Sequence, residues 1–197
     1  MLQITSLSVG PMDNNAYLLR CDQTGEQVLI DAANEVDRLE EFCGGTLRSV
    51  VTTHRHGDHW QALAELVIRT GADTWAGTPD ADELPVSVDH RVWTGDTIPV
   101  GASRLEVIGV VGHTPGSIVL AYRDPAGPVQ LFTGDSLFPG GVGKTWFPED
   151  FDRLVDDVET LLFGAFDDDT IFWPGHGAPS TLGAERPHLA QWRERGW

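Results

Sequence analysis

Four side chains able to bind a metal fall within six residues, in the stretch His54-Arg55-His56-Gly57-Asp58-His59. Two imidazoles two residues apart, then a carboxylate and a third imidazole, converge only if the backbone turns tightly. Gly57 is the residue expected to give it that freedom. Three further stretches repeat a simpler grammar of strand, glycine and ligand. They are Gly112-His113-Thr114-Pro115-Gly116, Thr133-Gly134-Asp135-Ser136 and Pro174-Gly175-His176-Gly177. A lone histidine at a strand end is more often structural than a ligand. Together the four stretches offer five imidazoles and two carboxylates: His54, His56, Asp58, His59, His113, Asp135 and His176. Seven ligands are too many for one tetrahedral zinc and suit two ions that share an oxygen. Nitrogen and oxygen donors without thiolate point to zinc, with iron or manganese as other options. Two such ions, roughly 3.5–4 Å apart, lower the pKa of a shared water and polarise a carbonyl. Hydrolysis then needs no serine or cysteine nucleophile.

The elements that must present these groups can be read from hydrophobic pattern. Leu47 to Thr53 is β-branched and reads as a strand, and Trp60 to Thr70 carries apolar Leu63, Ala64, Leu66 and Val67 on one helical face. The first cluster therefore lies on a strand-to-helix loop, where α/β proteins place their sites. Leu2–Val9, Ala16–Leu19 and Gln27–Ile30 read as an early meander, with Asp31 after its third strand. Asp31 is expected either to tie its own loop or to support the nearby site. Asn34 to Phe42 is a modest helix, and Thr78 to Glu83 a polar, Pro-bounded surface loop. Ser103–Val111 is a strand, and Ile118–Tyr122 with Val129–Phe132 is a hairpin. Phe151 to Leu162 has one apolar helical face, Thr170–Trp173 is a last strand, and Pro187 opens a closing helix to about Arg195. This order suggests an α+β fold, an αββα sandwich of two sheets with helices outside, in one domain over residues 1–197.

Composition narrows the function classes. The 41% hydrophobic and 22% charged content is that of a soluble globular chain, and no apolar run approaches a membrane span. The start, Met1-Leu2-Gln3-Ile4-Thr5, lacks a signal-peptide pattern, so a cytoplasmic location and no membrane partner are expected. Cys21 and Cys43 have no zinc spacing and are expected to pack as small apolar groups. The formal net charge of −17 would repel a phosphate backbone and excludes nucleic acid as a natural partner. Two bound divalent ions would still leave the site itself attractive to a small anion.

With these stretches assembled, the chain resembles the metallo-β-lactamase superfamily in its glyoxalase II-like branch. The motifs that carry the resemblance span most of the chain. They are Asp13-Asn14-Asn15-Ala16-Tyr17-Leu18-Leu19, Thr53 to His59, Gly112 to Gly116, Leu131 to Phe138, and Pro174 to Gly177. The resemblance implies two mixed sheets packed face to face. It also implies a division of ligands: His54, His56 and His113 on a first metal, Asp58, His59 and His176 on a second, and Asp135 between them. It implies further that Asp58 and Asp135 orient the water and take its proton. Lys144, in Gly140-Gly141-Val142-Gly143-Lys144, would hold the glutathione part of a thioester, and Trp146 would wall the same pocket. Three features depart from the branch: Ser117 where histidine is usual, Trp60-Gln61-Ala62 in place of a Gly-rich segment, and a chain of 197 residues with no room for an added C-terminal helical domain.

The expected function is hydrolysis of a small acyl thioester, most simply a 2-hydroxyacyl thioester. Two alternatives come from the same superfamily: a sulfur (persulfide) dioxygenase using one iron, and a lactonase-type hydrolase. A β-lactamase is disfavoured because Asp135 stands where those enzymes carry cysteine. His90 and His188 lie outside every motif and are read as structural or exposed.

Overall fold

Gln27–Ile30 and Ser117–Tyr122 are apolar runs without polar alternation, and each is buried at every position. A strand is buried on both faces only when layers cover both its sides. The computed structural model, which describes residues 1–196, supplies those layers: two six-stranded mixed sheets face to face, with helices on each outer side. The first sheet follows chain order: β1 (Leu2–Val9), β2 (Asn14–Cys21), β3 (Gln27–Ile30), β4 (Leu47–Thr52), β5 (Asp73–Gly77) and β6 (His90–Val92). Its first three strands form an antiparallel meander, and β3 to β6 run parallel.

The second sheet is built from β7 (Thr97–Val100), β8 (Ser103–Val110), β9 (Ser117–Tyr122), β10 (Gln130–Gly134), β13 (Ile171–Pro174) and β14 (Ser180–Thr181). A small ribbon of β11 (Leu137–Phe138) and β12 (Gly141–Val142) stands apart. β8 and β9 are antiparallel, as are β9 and β10, while β10 and β13 are parallel. Hence β8, β10 and β13 all run the same way. Between the sheets, Leu19, Ile30 and Val51 pack with Leu105, Ile118, Leu120 and Phe132.

Helices α1 (Val36–Cys43) and α2 (Leu63–Thr70) cover the first sheet, burying Leu39, Leu63 and Leu66 against Leu29 and Val50. Helix α3 (Pro148–Asp157) carries on as a π-helical stretch, Val158–Phe163, and with α5 (Leu189–Arg195) covers the second sheet. Leu154, Val158, Leu162 and Trp192 meet Val119, Leu131 and Phe172 there. The αββα arrangement expected from element order is thus the one observed.

Several boundaries differ for local reasons. The helix expected from Trp60 begins at Leu63, because residues 57–59 wind as a 3₁₀ turn and the amides of Gln61 and Ala62 donate to Ala33 and Ala32. The helix expected from Asn34 begins at Val36, because Glu35 takes a left-handed φ of 54° and its amide is held by the Asn34 side chain. The closing helix is not continuous. Pro187 has no N–H to give, and the chain passes from α4 (Leu182–Glu185) through a 3₁₀ turn, Arg186–His188, into α5. The stretch 78–83 is not a plain surface loop, since Asp80 and Ala81 within it are buried. Among the described residues, no helix is long and apolar enough to cross a membrane.

Candidate metal centre

Each of the four ligand-bearing stretches begins at the carboxyl end of a strand. The 54–59 loop follows β4, His113 follows β8, Asp135 follows β10 and His176 follows β13. All seven predicted donors are brought to one place. His56 Nδ1 lies 2.9 Å from His113 Nε2, which lies 3.3 Å from His54 Nε2. His59 Nε2 is 3.5 Å from Asp58 Oδ2 and 3.3 Å from Asp135 Oδ1. His176 Nε2 is 3.3 Å from Asp58 Oδ2 and 3.6 Å from Asp135 Oδ2, and that same Asp135 oxygen is 3.7 Å from His113 Nε2. Three triplets have donor atoms within 4.8 Å of one another, so each could hold an ion: His54–His56–His113, His54–His59–Asp135 and Asp58–His59–His176.

Glycines matter here, but not the expected one. Gly57 has no left-handed φ, and a Cβ on it would meet only Trp60 at 3.8 Å. The turn is made instead by the 3₁₀ wind of Gly57–His59, whose His59 amide bonds to the His56 carbonyl. Gly175 is one of the tight positions: a Cβ there would stand 2.1 Å from Asp135 Oδ1 and 2.7 Å from His59 Cε1.

Around the donors, a second ring of groups fixes which nitrogen of each imidazole faces inward. A carbonyl only accepts, so His113 Nδ1 must donate to Lys144 O at 2.7 Å and His176 Nδ1 to Met12 O at 2.9 Å. Asp31 Oδ2 lies 2.8 Å from His59 Nδ1 and also accepts the Thr53 hydroxyl. That hydroxyl, its proton committed to Asp31, accepts from His54 Nδ1 at 3.1 Å. Asp31 is therefore a support of the site rather than a tie to its own loop, since Thr53 N, just ahead of the first histidine loop, also donates to it. Four imidazoles thus have Nε2 turned inward, and His56 presents Nδ1. Asn14 Nδ2 donates to Asp58 Oδ2 at 2.9 Å. Asn15 and Tyr17 hold the backbone of the His176 loop at Pro174 O. Of these supports the sequence points to Asp31 alone, as one of two roles; Asn14, Asn15 and Tyr17 are given no role by ligand chemistry, although the Asn14-Asn15 pair is a visible turn signal.

Electrostatics divide the donors. Burial holds His54 far below the ordinary imidazole range, pushes His113 down to about 4 and lowers His56. Burial also disfavours charge on His59, yet Asp31 and Asp135 overcome it and raise that imidazole to about 10. Asp58 raises His176 and is itself held low by it, with Asn14 adding to the effect. Asp135, despite its burial, is also kept below the usual carboxylate range by His59 and its neighbours.

Do these residues fit metal ions? Two buried atoms answer: His59 Nε2 and Asp135 Oδ1 face each other 3.3 Å apart with no hydrogen-bond partner among the described residues. An unpaired buried polar atom is costly, and such exceptions ask for a missing partner. Histidines with one nitrogen tied to a carboxylate or carbonyl and the other bare are arranged as metal ligands are. The donor set fits.

The pocket beside the donors holds about 340 Å³ and is lined by Arg55, His56, His113, Trp146, Phe147 and Asp150, among others. Trp146 is exposed, with its ring 5.2 Å from that of His56, and the Lys144 ammonium sits 5.8 Å from the Trp146 ring centre. Trp146 thus lines this pocket, whereas Lys144 does not line it and stands beside Trp146. His90 stacks on Trp75 at 4.0 Å, away from these donors, and Cys21 and Cys43 are buried free thiols.

The chain is similar to several known proteins. A hydroxyacylglutathione hydrolase of Fuscovulum blasticum is 39% identical over 134 residues, which are 67% of this chain and 51% of that protein. The hydroxyacylglutathione hydrolase GloC of Haemophilus influenzae is 28% identical over 207 residues, covering 94% of this chain and 95% of its own. The chain therefore spans about half the length of some curated relatives and nearly all of another. Among solved structures, ETHE1 from Myxococcus xanthus superposes with a TM-score of 0.84 at 29% identity, over 98% of this chain and 85% of that one. TTHA1623 in a di-iron-bound form gives 0.75 at 29% identity, over 92% and 96%. The family model described as the metallo-beta-lactamase superfamily matches residues 9–176, a span that contains all seven inward donors, and the chain belongs to that superfamily.

Proposed function

We propose that the chain is a metal-dependent hydrolase acting on a small acyl thioester, of the hydroxyacylglutathione hydrolase kind. The observation that carries the reading is the pair of facing, partnerless atoms His59 Nε2 and Asp135 Oδ1 inside a ring of bare imidazole nitrogens. In this reading His54, His56 and His113 hold a first divalent ion, Asp58, His59 and His176 a second, and Asp135 lies between. Two ions so held, zinc in the simplest case, would supply a nucleophilic water at neutral pH and Lewis acidity toward the carbonyl.

The chain's own groups do the rest. Asp31, Thr53, Met12 O and Lys144 O bind Nδ1 of four imidazoles and so turn Nε2 of each toward the ions. Asn14 fixes Asp58, and the Asp58 and Asp135 carboxylates orient the attacking water and receive its proton. A thiolate is a good leaving group and needs no protein acid. Trp146 and Phe147 wall the carrier's path, and Lys144 attracts its carboxylate. Lys144 is the sole lysine of the chain and has no carboxylate partner among the described residues, so its charge is free for a ligand.

The second triplet favours this reading over one-iron dioxygenase chemistry, which would leave Asp58, His59 and His176 idle. All three are backed by their own hydrogen bonds. The test is metal content by elemental analysis, paired with a panel of S-lactoylglutathione, other acyl thioesters, lactones and glutathione persulfide. Two ions per chain with thioester turnover is the expected result. One iron with oxygen uptake, or lactones cleaved while every thioester is spared, overturns it.

A further inference from the structure

Asp80 lies three residues beyond the end of β5 and is only 1% exposed. Its Oδ2 accepts two hydrogen bonds, from the Arg55 amide at 3.0 Å and from the Thr114 hydroxyl at 2.6 Å. Arg55 stands between His54 and His56, and Thr114 follows His113. One carboxylate oxygen thus ties together two loops that come from opposite sheets and carry four imidazoles, and it does so at points next to three of them, His54, His56 and His113. Hydrogen bonds to a carboxylate are roughly twice as strong as neutral ones, so the tie is a firm one. The chain extends one step further. With its proton given to Asp80, Thr114 Oγ1 accepts from Ser117 Oγ at 2.6 Å. Ser117, a departure from the resemblance noted above, is thus the outer end of this network.

The fit around Asp80 is close. A Cβ on Gly116 would stand 2.4 Å from Asp80 N and 2.7 Å from Oδ1. Among the described residues Asp80 Oδ1 has no hydrogen bond, and its nearest cation is Arg55 Nε at 4.0 Å. An apolar side chain would avoid that buried unpaired oxygen, so packing alone does not account for an aspartate here. Asp58, His59 and His176 take their support elsewhere, from Asn14, Asp31 and Met12 O.

We infer that Asp80 is a positioning residue for one half of the centre: it holds His54, His56 and His113 at ion-binding spacing, and the other half does not depend on it. The inference rests on the dinuclear reading proposed above. Its test uses the full chain loaded with Zn²⁺ or Co²⁺ and equilibrated against a graded series of chelator. Metal per chain and the Co²⁺ absorption spectrum are read, with circular dichroism of each variant to verify folding. Asp80→Ala should weaken one ion by about 10- to 100-fold, the range for lost outer-shell partners. The second ion should stay at its wild-type midpoint, so stoichiometry passes through one. Asp80→Asn keeps an acceptor oxygen without the charge and should stay within about threefold of wild type, since the hydrogen bonds carry the effect. Thr114→Val removes one of the two ties and should weaken the same ion by less.

Equal weakening of both ions in Asp80→Ala, weakening of neither, or an Asn variant as poor as Ala overturns the inference. If Asp80→Ala does not fold, Thr114→Val decides it on the same criterion. A wild-type chain holding one ion sinks the dinuclear reading instead. Asp80 then stands only if Asp80→Ala weakens that single ion and Asp80→Asn restores it.

Discussion

Removing the charge of Asp31 should change how many protons leave when metal enters. In the metal-free chain Asp31 and Asp135 hold His59 at about 10 against the pull of burial. At pH 8.0 such a group is about 99% protonated, whereas an ordinary imidazole of pKa about 6.5 is about 3% protonated. His54, His56 and His113 are all pushed below the ordinary range, so they are already neutral and have nothing to release. A metal ion needs the bare Nε2 of His59, and ligands must lose their protons to bind. Zinc loading at pH 8.0 should therefore expel about one proton from His59 and a further fraction from His176, which Asp58 raises. Any proton lost by a bound water adds to this total equally in all variants. Asp31→Asn keeps a hydrogen-bond acceptor opposite His59 Nδ1 but removes the nearer negative charge. Proton release should then fall by at least about half a proton. The assay is titration calorimetry of zinc into metal-free protein, in three buffers of different ionisation enthalpy, where the slope gives the proton count. Equal counts for wild type and Asp31→Asn, or no release by the wild type, would refute this account of the site.

Four further outcomes follow from the same geometry. A group raised as His59 is contributes stability that is fully present below about pH 6.5 and lost as pH rises through about 10. The metal-free chain should therefore melt at progressively lower temperature across that window, with the trend blunted in Asp31→Asn. Gly57→Ala should be tolerated within about 0.5 kcal/mol by chemical denaturation, while Gly175→Ala, whose Cβ meets Asp135 and His59, should lose metal by elemental analysis. Asp135→Asn should disturb both ions, because Asp135 faces His59, His113 and His176, whereas His113→Ala should chiefly weaken one; equal metal loss in the two variants would oppose the proposed division. Lys144→Gln and Trp146→Ala should raise KM for an anionic thioester about tenfold with smaller effects on kcat, as expected when a contact acts on binding alone.

Much of this was legible in the chain because strands and ligands are coupled in sequence. A buried strand is a short apolar run, and a loop that must present a side chain at its end starts with a small residue. Leu47 to Thr53 followed by His54, and Val129–Phe132 with Asp135 shortly after it, both read this way, and the strands run Leu47–Thr52 and Gln130–Gly134. Helix starts were less legible because tertiary hydrogen bonds set them. Nothing in Trp60-Gln61-Ala62 announces that two of its amides are claimed by Ala32 and Ala33. The same applies to the outer supports. Asp80 sits in a polar stretch bounded by proline, and only the approach of Arg55 and Thr114 from other strands buries it. Residue type reveals a ligand, but what holds the ligand still depends on contacts distant in sequence.

The two sheets share the centre unequally, and the division has a consequence for folding. His54, His56, Asp58 and His59 come from the first sheet, and His113, Asp135 and His176 from the second. Every donor triplet that could hold an ion by the proposed division draws from both: His113 completes one, His176 the other. Neither sheet alone can therefore bind either ion with three groups. An ion bound at either place would act as a clamp across the sandwich at the rim, beyond the apolar layer formed by Leu19, Ile30, Ile118 and Phe132. Binding that requires both sheets in register favours the native state by RT ln(1 + [M]/Kd), or about 4 kcal/mol at a thousandfold excess over Kd. In the metal-free chain the same rim instead gathers five imidazoles and two carboxylates around the buried His59, with no ion to join the two sheets. The rim should thus be the first part of the sandwich to loosen when metal is removed. Hydrogen exchange would show it as faster exchange at residues 53–59, 112–114 and 134–136, with the amides of β9 unchanged.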